Sequence, residues 1–232
     1  MNPVYSEKRK LFLRPETLDD FVAREAHIYI NDTEPIPDDV VLDIGGNIGA
    51  VTAAFLRAGV KRVVTIEPEH ENILMLERNL GQEEFHGRAL IIPGAVVSDE
   101  YPDSMIALYV NNQKNQGSHR TRPTRGRDSI DVPAVKFSDL VSSDWLDGVT
   151  IVKCDIEGGE YEIADELVDK MPPTVRALTM EMHVQGKQRE SGIKLDERLR
   201  AAGWDLTRER GSLEKTTTWF SLRTYERAVS GM

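Results

Sequence analysis

Three short runs of this sequence end in charged residues placed where they could do chemistry. Residues 40–51, VVLDIGGNIGAV, form an apolar run that reaches Asp43 and passes into a turn containing Gly45, Gly46 and Gly49. In VVTIEPEH a second run closes on Glu67, and in VKCDIEGGEYEI a third closes on Lys153, Asp155 and Glu157. A glycine turn ahead of a helix lets a ligand's phosphate or carboxylate reach backbone N–H groups, because no side chain stands in the way. The dinucleotide pattern G-x-G-x-x-G fails here: counting from Gly45, it meets Asn47 at the second glycine and Ala50 at the last position. Asp43 lies two residues before the first glycine. Its charge there would oppose a pyrophosphate and suit the ammonium of a methionine moiety. D-x-G-x-N-x-G therefore reads as a site for S-adenosylmethionine rather than NAD or ATP.

The second acidic residue supports that reading. Glu67 comes 18 residues after Gly49, and the end of a second strand lies beside the end of the first, where a carboxylate can accept both ribose hydroxyls. Pro68 and Ala95 complete the expected cofactor set with Asp43, Gly45, Gly46, Asn47, Gly49, Glu67 and Asp155.

Period two along a strand sends Lys153, Asp155 and Glu157 to one side as the chain leaves the sheet. The next strand ends in MEMHVQG and brings Glu181 and His183 to the same rim. Methyl transfer from a sulfonium needs positioning and a dry cleft, and an alcohol acceptor must also lose a proton. Asp155, Glu157 and His183 are the candidate catalytic groups; Asp155 is expected nearest the sulfonium, with His183 or Glu157 as base. Lys153 and Glu181 are expected to face the acceptor. Hard cations bind carboxylate oxygens, but no spacing here is specific to a metal and none is expected. Lys153 with Asp155 also reads as a buried ion pair, Glu160 as a first-turn helix charge, and Cys154 as buried packing.

The elements that must position these residues alternate strand and helix. Strands are predicted at 40–44, 62–66, 89–92, 149–154 and 175–182, with helices behind them; Ile73, Leu76 and Leu80 mark one buried helix face, and Ala164, Leu167, Val168 and Met171 another. A hairpin is predicted from 204–209 and 216–222 about a turn at Arg210, Gly211 and Ser212. Such an order gives an α/β fold of the class I methyltransferase (Rossmann-like) type, mostly parallel with a C-terminal antiparallel hairpin. One domain is expected, with an N-terminal extension over 1–38 carrying a helix at 18–26. An insertion over 101–135, between strands three and four, should hold an extra hairpin and a basic loop.

The chain has 232 residues, a net charge of −10, and 40% hydrophobic against 29% charged residues. This composition excludes collagen-like and disordered classes, and no apolar run is long enough to span a membrane. With one cysteine and no signal-like start, the cytoplasm is the expected compartment. The acidic balance disfavours nucleic acid. Residues 111–127 run against it, with Lys114, Arg120, Arg122, Arg125 and Arg127 and no acid. Arg120, Arg122 and Arg125 are expected to recognise an anionic or sugar-linked small-molecule acceptor, or else the loop is merely solvated.

VLDIGGNIG, IEPEHEN with the helix ending RNL, and VKCDIEGGEYEI together resemble the FkbM family of S-adenosylmethionine-dependent methyltransferases, over about residues 40–183. RPETLDDF (14–21) looks like a degraded form of that family's N-terminal segment. The resemblance implies a class I sheet, methyl transfer usually to a hydroxyl of a sugar or natural product, and no obligatory metal. The alternatives are a noncatalytic cofactor-binding scaffold and a methyltransferase acting on RNA or protein.

Overall fold

The structure is a computed structural model and describes residues 2–111, 119–184, 186, 188–213 and 220–229. A short hairpin, β1 (Val4–Ser6) and β2 (Leu11–Leu13), precedes α1 (Asp19–Thr33). Then β3 (Val40–Ile44), α2 (Ala50–Arg57), β4 (Arg62–Glu67), α3 (His70–Leu80) and β5 (Ala89–Pro93) alternate, followed by β6 (Ala95–Val97), β7 (Met105–Tyr109) and β8 (Ser129–Lys136). The remainder comprises α4 (Phe137–Val141), β9 (Ile151–Cys154), α5 (Ala164–Asp169), β10 (Ala177–His183), α6 (Gln188–Ala201), β11 (Asp205–Gly211) and β12 (Phe220–Glu226).

Seven strands form one sheet in the order β11-β12-β10-β9-β3-β4-β5. From β10 to β5 the pairing is parallel; β12 runs antiparallel between β10 and β11. All five residues of β3 are buried, as a strand covered on both faces requires. Alternation divides them: Val40, Leu42 and Ile44 join Val152, Cys154 and Met180 in one core, while Val41 joins Ile151, Val63 and residues of α1, α2 and α3 in the other. Cys154 is thus buried packing. Each fully buried aliphatic side chain contributes about 1.5–3 kcal/mol, so the central strands hold the glycine turn rigidly.

Several boundaries differ from the sequence reading. Helix α1 runs well past Ala26, to Thr33, and α5 stops before Met171, with Gly159 instead opening a separate 3-10 turn, Gly159–Tyr161. The inserted strands do pair, from Met105 with Pro133 to Tyr109 with Ser129; β8 also pairs with β6, which makes a separate three-stranded sheet and carries Ala95. Arg210 and Gly211 are not turn residues. Strand β11 continues through both, and Gly211 pairs with Ser221. A Cβ on Gly211 would come 2.6 Å from the Phe220 carbonyl oxygen, so glycine is needed there for close strand approach rather than for a turn. Residues 214–219, including part of the expected last strand, lie outside the described residues, as do Lys114 and the rest of 112–118.

Candidate active site

The carboxyl ends of β3, β4, β9 and β10 open into a cleft of about 410 Å³. The glycine turn lines one part of it through Gly45, Gly46 and Asn47, with Glu67 and Pro68 from the end of β4 and Ala95 from β6. Asp155, Glu157 and Glu181 line another part. A further wall comes from Leu18, the residue before α1, from Phe21 and Tyr29 on α1, and from Phe220 of β12.

Glu67 is nearly buried and its carboxylate is aimed by three donors. The Asn47 amide donates to Oε2 at 2.8 Å, and the Glu69 amide and Asn72 Nδ2 donate to Oε1 at 3.0 and 3.3 Å. Burial raises the Glu67 carboxyl to about 7 against the pull of those hydrogen bonds. Asn72 is itself held by Arg14 Nη2 at 2.8 Å, and Arg14 is locked to Asp19 at the start of α1. RPETLDDF therefore ties the N-terminal helix to the carboxylate at the end of β4.

Asp43 does not face the cleft, contrary to the expectation that it would meet the ligand's ammonium. One more residue of β3 follows it, so its side chain still projects from the sheet face, beneath α2. Thr52 donates to its Oδ2 at 2.6 Å, and Lys153 Nζ lies 3.1 Å from its Oδ1. Lys153 is held there too: its Nζ donates to the Gly45 carbonyl at 2.7 Å and lies 4.0 Å from Asp155. The lysine braces the glycine turn from below while still lining the cleft. Burial works against its charge, but Asp43 and Asp155 outweigh it and raise its pKa. The glycines also have a reason the ligand argument lacked. At Gly45, with φ +87°, a Cβ would stand 1.9 Å from the Asp155 carbonyl oxygen, and at Gly46 it would stand 2.1 Å from Thr65 Oγ1. Gly49 adopts φ +81° as the residue before α2.

His183 sits behind the cleft in a cage of carboxylates. Its Nδ1 is 3.2 Å from Glu160 Oε1, and its Nε2 is 3.3 Å from Glu157 Oε2 and 3.5 Å from Glu181 Oε1. Burial opposes its charge, yet the bonds to Glu157 and Glu160 prevail and hold its pKa well above the ordinary histidine value. These bonds favour the charged imidazolium, which disfavours His183 as the base. Glu160 is more than a first-turn charge: fully buried, it accepts from the Gly158 and His183 amides at 2.8 and 2.7 Å. Glu181, by contrast, is raised to about 8, first by burial and then by Asp155. Glu157 adopts φ +56°, a conformation costly for a residue with a Cβ. That backbone places its carboxylate between His183 and Arg120.

The basic loop is engaged by acids. Arg120 Nη2 is 3.6 Å from Glu157, Arg122 Nε is 3.0 Å from Glu162, and Arg125 is exposed and away from the cleft. Arg120 and Arg122 are thus paired with acids, and none of the three lines the cleft. Asp155, Glu181 and His183 each offer an atom within 4.8 Å of the others, a spacing a metal could bridge. Tyr29 is a cleft residue the sequence reading missed; it lies beyond the predicted end of α1, with its ring 5.7 Å from Lys153 Nζ. Burial, then Asp155 and Glu181, raise its phenol.

A sheet in this strand order, with one antiparallel strand next to its edge and charged groups at the carboxyl ends, defines the class I methyltransferase fold. Three solved structures share it: a candidate RNA methyltransferase from Pyrococcus horikoshii (14% identity over 92% of this chain and 85% of that one, TM-score 0.53), precorrin 8w decarboxylase from Methanobacterium thermoautotrophicum (17%, 88% and 90%, 0.51), and M. capricolum TrmK in complex with S-adenosylhomocysteine (8%, 89% and 68%, 0.52). At these identities the likeness is one of fold. The methyltransferase FkbM domain model matches residues 43–206, so the chain belongs to the FkbM family and is an S-adenosylmethionine-dependent methyltransferase. Among curated proteins none matches it. Among the described residues, no helix is long and apolar enough to cross a membrane.

Proposed function

We propose that the protein methylates a hydroxyl group of a sugar or small natural-product metabolite. One observation carries the reading: the carboxyl groups of Asp155, Glu157 and Glu181 line the same cleft as the glycine turn and Glu67. S-adenosylmethionine would supply an electrophilic methyl on a sulfonium: the acceptor oxygen would bond to that methyl as its C–S bond breaks and the sulfur leaves as a neutral thioether. Glu67 accepts the ribose hydroxyls, and Gly45, Gly46, Asn47, Pro68 and Ala95 enclose the cofactor around it. Asp155, beside the Gly45 backbone, offers its charge to the cationic end. Glu181 takes the acceptor's proton in its ionised form, which His183 favours and whose population grows as pH climbs through about 8; a carboxylate with so high a pKa is far more basic than an ordinary one. The imidazolium of His183 then faces the displaced proton's new position and keeps Glu181 from rising further.

The test combines mass spectrometry with calorimetry. A panel of hydroxylated acceptors and their amine counterparts is incubated with protein and S-adenosylmethionine, and the gain of one methyl is followed. Glu181→Gln should keep cofactor affinity and lose turnover on the alcohols. Full turnover in Glu181→Gln would remove the base assignment, and methylation confined to amines would remove the hydroxyl acceptor.

A further inference from the structure

The walls of the cleft differ in character from its floor. Leu18 just before α1, Phe21 on α1 and Phe220 on β12 all line the cleft, and they remain 40%, 47% and 41% exposed. Elsewhere on α1, Ala26 and Tyr29 are buried against the sheet, so the start of the helix places two large apolar side chains at the mouth rather than in the core. A wet leucine and two wet phenylalanines facing a common space form a surface that gains free energy when an apolar body covers it.

The charges around that space are one-sided. Glu25, Asp155, Glu157 and Glu181 line it. Toward its floor Lys153 stands on Asp43 at 3.1 Å, Arg210 on Asp32 at 2.8 Å, and Arg120 on Glu157 at 3.6 Å, while at the mouth the exposed Arg24 stacks on the Phe21 ring at 5.0 Å. A phosphate or sulfate reaching the floor would meet carboxylates and would have to break an existing ion pair to find a partner there.

We infer that the acceptor is an uncharged alcohol with an apolar body, laid between α1 and the C-terminal hairpin against Leu18, Phe21 and Phe220. The inference rests on the methyl-transfer reading above and narrows its substrate class. It reverses the anionic acceptor expected from the arginines of the loop. The apolar part occupies the mouth, and the hydroxyl reaches Glu181 on the floor.

The probes are octyl β-glucoside, methyl β-glucoside and octyl sulfate, each titrated below its micelle concentration into protein saturated with S-adenosylhomocysteine. Octyl β-glucoside should bind, and losing the octyl chain should weaken binding by about tenfold or more. Octyl sulfate should bind more weakly than the glucoside despite its identical tail. Phe21→Ser and Phe220→Ser should each weaken the glucoside by about tenfold and leave S-adenosylhomocysteine affinity unchanged, while Val4→Ser, at an exposed site outside the cleft, should change neither. The inference is overturned if octyl β-glucoside does not bind, if octyl sulfate equals or exceeds it, or if the phenylalanine variants bind it like the wild type. It is also overturned if those variants only dissolve a dimer seen by sedimentation, which would assign the patch to a second copy of the chain. S-adenosylhomocysteine is titrated alone first. Its failure to bind would defeat the methyl-transfer reading and be visible separately from any result with the glucosides.

Discussion

Asp43 and Lys153 are direct register partners on the parallel strands β3 and β9, and their charged atoms meet at 3.1 Å inside the protein. Both side chains are essentially sealed from solvent. Removing one partner of a buried pair leaves an uncompensated charge, which costs about 3–5 kcal/mol. Lys153→Met and Asp43→Leu should each lower the midpoint of chemical denaturation by that order. The double variant should recover much of the loss, as a double-mutant cycle will read.

The proposed role of Glu67 predicts a pH-dependent cofactor affinity. Its carboxyl titrates at about 7 in the folded protein, and the protonated form loses acceptor capacity toward ribose. Affinity for S-adenosylmethionine should therefore rise as pH climbs through about 7. Glu67→Gln should flatten that rise and weaken binding by about 1.5–3 kcal/mol. Calorimetry across the pH range measures both effects.

The His183 cage should appear as alkaline sensitivity. Its pKa in the folded state lies well above the ordinary 6.5, so its contribution to stability is fully present below the unfolded value and is lost as pH rises through the folded one. Glu160→Gln removes one of the two bonds that sustain the charge. The thermal midpoint of that variant should begin to fall at a lower pH than that of the wild type, and the imidazole resonance should titrate earlier by NMR.

Glycine substitutions should separate close approach from backbone strain. Gly45→Ala would place a methyl 1.9 Å from the Asp155 carbonyl oxygen, whereas Gly59→Ala, also at positive φ, meets nothing within 4 Å. Gly59→Ala should cost only the left-handed penalty, about 1–2 kcal/mol. Gly45→Ala should cost more and also weaken S-adenosylmethionine binding, since the turn and Asp155 must separate.

Chelation provides a fifth contrast. Because displacement at a sulfonium methyl rests on positioning and needs no Lewis acid, methyl transfer should be unchanged after treatment with a chelator. Activity restored only by added Mg²⁺ would show that Asp155, Glu181 and His183 ligate an ion.

The parts of this site that were legible in the sequence depend on local pattern. The run ending in Asp43, the glycine turn and Glu67 fall within one βαβ unit, where strand periodicity and turn chemistry decide the outcome. The orientation of Asp43 was misread because its partner lies on β9, and pairing Asp43 with Lys153 requires the register of two strands far apart in sequence. The role of Glu160 was hidden for the same reason: His183, which it holds, belongs to β10. The basic loop was read from charge alone, and charge gave no indication that Glu157 and Glu162 would dock it. Tyr29 was missed because the helix was ended at Ala26, and the consecutive Ile28, Tyr29 and Ile30 that follow mark no single helix face by themselves.

The cleft is assembled from three stretches of chain with different histories available to them. Its cofactor side, from Asp43 onward, lies within the segment shared with the family, residues 43–206. Leu18, Phe21 and Tyr29 precede that segment, and Arg210, Phe220 and Leu222 follow it, yet all six face the same space. Drift at the two ends of the gene can thus reshape what enters the cleft without touching the glycine turn or Glu67. Kinship through the shared segment transmits the methyl donor and says nothing of the recipient. A chimera that exchanges only the terminal stretches between two members of the family would be expected to carry acceptor preference with them.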